Sequence, residues 1–191
     1  MSTTTSPDDE PLFDERITNY PWPIGVFAGL WTFVAGYIVM GIVVLVPDGP
    51  KQGAAIGDTI NEIGVVLYNA HNVVLDVRNV AGIRNLGGSV TNKLAGPTSK
   101  PVLVYYAVPV VVLVVAGALV AHYTLSADVD LQVAVLPGVA LGIGYTVTAI
   151  LGTFVVSDSL GNGAVLLVPD LGQTVVYALA YSLVCGIVGS L

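Results

Sequence analysis

The sequence predicts an all-α polytopic membrane protein: a bundle of four transmembrane helices, with an amphipathic helix in the loop between the first and second spans. Of the 191 residues, 54% are hydrophobic and only 10% are charged, and the mean hydropathy is +0.83. A soluble domain usually carries about a quarter charged residues, so these charges are too few to cover a soluble protein of this size. Four apolar runs of about 20 residues, each free of Asp, Glu, Lys and Arg, are long enough to cross a hydrocarbon core of about 30 Å.

We predict the four spans at about 24–46, 102–123, 131–151 and 171–191. The runs are rich in Val, which also favours strands, but strands usually have only about 4–8 residues. A membrane barrel would need alternating polar and apolar residues, which these runs lack. Since an α-helix satisfies its own backbone hydrogen bonds in lipid, the runs are predicted to be helices.

The residues outside the spans fall into an N-terminal tail and a long polar loop. Residues 1–23 are acidic and rich in Ser, Thr and Pro, and are predicted to be a disordered tail; 24–191 form the membrane domain. In the loop, 47–101, apolar residues recur at steps of three and four over 56–77, which predicts an amphipathic helix on the membrane surface or on the bundle. A fifth span is the alternative, against which the charges of this segment argue, because a central charge costs about 2.5–3.5 kcal/mol. The glycine-rich stretch after Arg78 is predicted to be irregular.

Charge limits the partners and indicates an orientation. A net charge of -7 argues against nucleic acid as a partner. The one cysteine, Cys185, excludes an internal disulfide framework and a Cys-based zinc site.

Five of the six basic residues lie in the loop 47–101, so the positive-inside rule favours this loop in the cytoplasm and both termini outside. The opposite orientation, with the acidic tail inside, is the alternative. In either case we expect a multi-pass protein of the cell membrane.

Small residues are the best-patterned feature of the spans. They recur at four-residue intervals, and such stripes let membrane helices approach closely. We interpret them as contacts within the four-helix bundle; self-association through one stripe is the alternative. The candidate helix-packing residues are Gly25, Gly29, Gly138, Gly142, Ala178, Ser182, Gly186 and Ser190.

Catalytic and cofactor-binding patterns are absent from the sequence. It contains no Walker A, HExxH or GxSxG motif, and Gly142-Ile143-Gly144 lacks the third glycine of a dinucleotide loop. His71 has no carboxylate or second histidine at a four-residue spacing, as a metal or proton-relay role would need. We therefore expect no enzymatic activity, no cofactor and no metal. A membrane enzyme using His71 with Glu62 or Asp76 is the least favoured hypothesis.

The predicted function is a non-enzymatic packing or partner subunit of the membrane. Its partners would be the lipid bilayer and either a second copy of the chain or another membrane protein. A small oligomeric transporter or channel is the alternative, and the polar face formed by Tyr145, Thr146 and Thr148 is its candidate lining.

The acidic, lysine-poor composition and the rich content of Val, Ala and Gly resemble proteins of extreme halophiles, whose acidic surfaces suit multimolar salt. The arrangement of the chain is similar to that of small uncharacterised haloarchaeal four-span integral membrane proteins. It has one span, then a polar loop containing Leu67-Tyr68-Asn69-Ala70-His71, and then three spans. The resemblance implies a halophilic archaeal source and the four-span fold, and it implies no activity.

Overall fold

The computed structural model of the chain describes residues 15–48, 55–79, 85–90, 101–126, 129–160 and 165–191. The helices within these ranges are α1 (Glu15–Thr18), α2 (Trp22–Asp48), α3 (Ile56–Ala70), α4 (Val102–Thr124), α5 (Leu131–Ala134), α6 (Leu136–Thr153) and α7 (Leu171–Ser190). The strands are β1 (Leu75–Asn79), β2 (Asn85–Val90), β3 (Asp158–Leu160) and β4 (Val165–Pro169).

Four helical segments are long and apolar enough to cross a membrane, and they lie where the sequence predicts them. They are Trp22–Val46, Val102–Thr124, Leu131–Thr153 and Leu171–Ser190. The third combines α5 and α6, and Pro137, near the start of α6, lacks the backbone N–H that would continue the hydrogen-bond ladder. The first begins at Trp22, inside the predicted tail 1–23, because Pro23 is tolerated in the first turn of a helix. Most of that tail, 1–14, lies outside the described residues.

The long helices pack around α6 and α7. α6 packs against α2 on one side and α7 on the other, α4 packs against α7, and α2 and α4 contact each other less closely. The outside of this bundle is apolar: Phe27, Val111, Val176 and Val184 are each more than half exposed. Exposed apolar surface on this scale is typical of a protein surrounded by lipid or by partners.

The prediction of an all-α fold is wrong for the connections, which contain a four-stranded antiparallel sheet in the order β2-β1-β4-β3. β1 pairs with β4 from Leu75 opposite Pro169 to Asn79 opposite Val165. Leu75 and Leu167 are buried in the core. The strands are too short and too dispersed in sequence to produce a clear pattern, and β2 includes Gly87 and Gly88 of the stretch predicted to be irregular.

The predicted loop helix is present as α3, but it ends at Ala70 rather than continuing to 77. Asn72 adopts a left-handed conformation (φ 62°). The Asn72 and Val73 N–H groups donate to the Asn69 and Tyr68 carbonyls, which is a Schellman ending. The extended strand β1 follows, so the apolar Val74 and Val77 continue the helical spacing by coincidence. α3 has 15 residues, fewer than the ~20 that a span needs.

Candidate functional site

A histidine at the C-terminal end of α3 is enclosed by the bundle. His71 is only 3% exposed. Its Nδ1 lies 2.8 Å from the Leu67 carbonyl oxygen and its Nε2 lies 2.7 Å from the Tyr145 hydroxyl. Because a carbonyl can only accept, Nδ1 carries the hydrogen and donates to Leu67, and Nε2 accepts from the Tyr145 hydroxyl. The contacts therefore assign the neutral tautomer of the ring.

Further hydrogen bonds join the neighbours of this histidine to α6 and α7. The Tyr68 hydroxyl donates to the Ala149 carbonyl (2.5 Å). The Asn72 side-chain amide donates to the Tyr181 hydroxyl (2.7 Å), and the Tyr181 ring lies 5.3 Å from the His71 ring. We call these five residues the polar cluster: Tyr68, His71, Asn72, Tyr145 and Tyr181. The cluster joins α3 to both of the helices at the centre of the bundle.

Tyr68 and His71, the titratable members of the polar cluster that α3 contributes, are uncharged at neutral pH. Burial lowers the pKa of His71 to about 4, and the bond to the Leu67 carbonyl offsets only part of that shift. Burial, and secondarily the nearby Tyr37, raise the pKa of Tyr68. The space around His71, Tyr68 and Ala149 has no room for a water molecule. Both nitrogens of this imidazole therefore bond to protein groups.

The carboxylates considered as partners of His71 do not bond to its ring. Glu62 lies nine residues earlier on the same helix, about 14 Å along its axis. Asp76 accepts from the Arg78 guanidinium at 3.2 Å within β1. In the described part of the chain, no group of three or more His, Cys, Asp and Glu side chains could hold a metal ion.

The three polar residues considered as a pore lining contact different neighbours. Tyr145 belongs to the polar cluster. The buried Thr146 hydroxyl lies 3.4 Å from the Ser182 hydroxyl, between α6 and α7. The Thr148 hydroxyl donates back to the Gly144 carbonyl of its own helix (2.9 Å). Each hydroxyl thus has a protein partner.

The small residues of α2 face α6. A methyl group on Gly25 would overlap Ala140, and one on Gly29 would overlap the Leu141 backbone. Gly144, which the four-residue stripes do not include, faces α2 so closely that a methyl group there would overlap the Val26 backbone. Close contact between the backbones of α2 and α6 therefore depends on glycines from both helices.

The small residues of α6 and α7 face each other. Gly138 lies against Gly186, and Gly142 lies against Ser182 and Leu183. Gly186 also lies against Gly117 of α4, so it occupies the point where three helices meet. The α7 members of the predicted stripe are all buried: Ala178, Ser182, Gly186 and Ser190.

The sequence marks His71 and Tyr145 separately but does not show that they are partners, and it does not mark Tyr181. Tyr145 and Tyr181 lie 74 and 110 residues further along the chain, and no local spacing links them to α3. The only local signal in the sequence is the polar run Tyr68-Asn69-Ala70-His71-Asn72, which follows a mainly apolar stretch of α3.

Comparison with known proteins adds the family. No curated protein and no solved structure matches the chain. The model of DUF7978, described as a family of unknown function, matches residues 14–191. This range includes the four candidate spans, α3, the sheet and the polar cluster. The chain therefore belongs to DUF7978, a family of unknown function.

Proposed function

We propose that the chain is a multi-pass protein of the cell membrane that acts as a non-enzymatic packing or partner subunit. The observation that carries this proposal is the closure of its polar interior. Every buried side-chain nitrogen and oxygen among the described residues has a hydrogen-bond partner. The space bounded by Tyr68, His71 and Ala149 has no room for a water molecule or a substrate. Buried polar groups that are all paired with one another rigidify and specify a packed core, which is the role proposed for them here.

The surface that supports a partner role is an apolar groove of about 530 Å³ between α2 and α4. Its lining includes the small residues Ala28, Ala35 and Ala116 and the much larger Trp31. The Thr32 hydroxyl in the groove already donates to the Ala28 carbonyl (2.7 Å). Small side chains allow another membrane helix to approach closely, so we propose a transmembrane helix of another membrane protein as the occupant.

Photocrosslinking in native membranes tests this proposal. A benzophenone amino acid replaces Ala35 in the groove, and the control replaces Val176, an exposed residue of α7. We expect the Ala35 probe to form one discrete protein adduct and the Val176 probe to form lipid adducts alone. Lipid adducts alone from both positions would contradict a partner at this groove. If the Ala35 adduct contained a second copy of the chain, the chain would form a homo-oligomer through this groove and would not bind another membrane protein there.

The orientation proposed for the chain follows its charges. Both termini would be outside and the connection that carries α3, β1 and β2 would face the cytoplasm, in accordance with the distribution of basic residues. Cysteines introduced at Thr3 and Ser89 test it: a membrane-impermeant thiol reagent added to intact cells should modify the first and not the second. The acidic composition supports a halophilic archaeal host.

A further inference from the structure

α3 runs alongside the spans rather than across the end of the bundle. Near its middle, Ile63 lies beside Gly41 of α2. Near its C-terminal end, the Tyr68 ring lies 6.1 Å from the Phe33 ring of the same helix. Later residues of α3 thus contact earlier residues of α2, which means that α3 is antiparallel to α2 and enters the bundle as it proceeds.

The C-terminal end of α3 lies far from the ends of the spans that it contacts. Tyr145, which bonds to His71, is about 12 Å along the helix from the end of α6. Tyr181, whose ring contacts His71, is about 15 Å along the helix from the start of α7. Half of a hydrocarbon core is about 15 Å. If α6 and α7 span the membrane, His71 lies near its midplane.

The turn after α3 leads from this depth back to the start of α7, and its N–H groups bond to protein along the way. Irregular backbone within a bilayer is tolerated only where protein supplies its hydrogen-bond partners. The N–H groups of four consecutive residues all donate, at 2.9–3.1 Å. Those of His71 and Val73 donate to the Tyr68 carbonyl, that of Asn72 to the Asn69 carbonyl and that of Val74 to the Gln173 side chain. Two carbonyls of this segment also accept hydrogen bonds, that of Val73 from the Asn69 side chain and that of Val74 from the Asp170 N–H.

The N-terminal half of α3 leaves an apolar face uncovered. Ile56 is 81% exposed and Ile60 is 50% exposed. Beside Ile60 lies a groove of about 380 Å³, whose other walls come from α2 and from the end of α6, including Ile38 and Leu151. Its lining hydroxyls, on Tyr37 and Thr148, already donate to backbone carbonyls. The lining is otherwise apolar except for Asn61, so the groove presents mainly apolar surface without free hydroxyl donors.

We propose that α3 is a re-entrant helix and that the groove beside Ile60 binds a lipid acyl chain. The groove extends from Phe33, near the middle of α2, to Ile60 in the N-terminal half of α3, which is about the depth of one leaflet. An acyl chain occupies one leaflet, whereas a transmembrane helix would cross both and pass the end of the groove. The proposal rests on the membrane insertion in the proposed function and not on the partner role.

Site-directed spin labelling in vesicles of phosphatidylcholine and phosphatidylglycerol tests the proposal. In a Cys185→Ser background, single cysteines replace Ile60, the exposed Asp58 on the same helix, and Val111, an exposed residue in the middle of α4. Oxygen concentrates in hydrocarbon and a nickel chelate stays in water, so the ratio of their collision rates reports depth. We expect the ratio at Ile60 to lie below that at Val111, because Ile60 lies about one leaflet nearer the surface, and to exceed that at Asp58 several-fold.

The other outcomes separate the possible failures. A water-exposed label at Ile60, with a lipid-exposed label at Val111, would overturn the re-entrant helix while leaving membrane insertion intact. Water-exposed labels at both sites would overturn insertion itself. A label at Ile60 that is shielded from both reagents, and whose spectrum sharpens when unlabelled protein is added, would mean that a second copy rather than an acyl chain covers the groove.

Discussion

Removing a single oxygen atom from the polar cluster tests whether its hydrogen bonds stabilise the bundle. Tyr145→Phe keeps the ring, and with it the edge contact to Phe33 at 5.3 Å. It leaves Nε2 of the buried His71 without the hydroxyl donor that it has in the folded chain. An unsatisfied buried polar group costs about 1–3 kcal/mol. We therefore expect the free energy of unfolding to fall by about 2 kcal/mol.

The measurement is unfolding in mixed micelles, in which dodecyl sulfate is titrated against a mild detergent and helicity is followed by circular dichroism. Tyr123→Phe is the matched control, because Tyr123 is 79% exposed at the end of α4, and a substitution there should change stability by less than about 0.5 kcal/mol. His71→Leu completes a double-mutant cycle. Once the ring nitrogen is absent, loss of the Tyr145 hydroxyl should cost less, with a coupling energy of about 1 kcal/mol or more.

The reasoning fails if Tyr145→Phe is no more destabilising than Tyr123→Phe. It also fails if the two substitutions at His71 and Tyr145 are additive, because additivity means that the two side chains do not interact in the folded protein.

Three further predictions concern packing, pH and helix capping. Gly144→Ala should destabilise the chain by about 1–3 kcal/mol because its methyl group meets the backbone of α2. Gly36→Ala, whose nearest neighbouring atom would be 4.0 Å away, should be neutral or stabilising in the same assay. His71 has a pKa of about 4 when folded against 6.5 when unfolded, so the unfolded chain binds the proton more tightly and stability falls as pH falls from 6.5 to 4. Thermal unfolding should show that the free energy of unfolding is about 2 kcal/mol lower at pH 5 than at pH 7. This difference should disappear in His71→Gln and persist in the control His122→Gln. Asp170→Ala should cost about 1 kcal/mol, because the Asp170 carboxylate accepts from the N–H of the first turn of α7 (2.7 Å); an unchanged unfolding midpoint would refute this cap.

The four long helices could be predicted because a helix that is able to cross a membrane follows one simple rule. It keeps ionised groups out of about 20 consecutive residues, and this absence is visible without any knowledge of the helix's neighbours. The end of α3 could not be predicted in the same way. Asn72 ends the helix through a left-handed conformation, while Val74 and Val77 continue the apolar spacing into β1.

The sheet escaped prediction for a related reason. Val165–Pro169 is a short apolar run directly before the fourth span, and by composition it reads as an interrupted start of that span. It becomes a strand because Leu75–Asn79, far away in sequence, supplies the backbone partners for its N–H and C=O groups. A strand this short is identified by its partner rather than by its own sequence.

The glycines show which packing contacts a repeat can reveal. Gly25 and Gly29 form a stripe on their own helix, so the four-residue spacing identifies them. Gly144 and Gly117 contact neighbouring backbones equally closely, but each is required by the helix opposite rather than by a repeat in its own helix. Such positions become apparent only once the helix pairs are known.

The polar cluster solves a problem that the apolar spans create. Val-rich helices offer many nearly equivalent ways to pack, because dispersion contacts have little direction. A hydrogen bond between two membrane helices is worth only about 0.6–2 kcal/mol, but it is directional and cannot be made after a shift of one helical turn. His71 finds a donor only at Tyr145, and Tyr68 reaches the carbonyl of Ala149 one turn further along α6. These two bonds fix the depth to which α3 enters the bundle, so the cluster contributes more to the uniqueness of the fold than to its total stability.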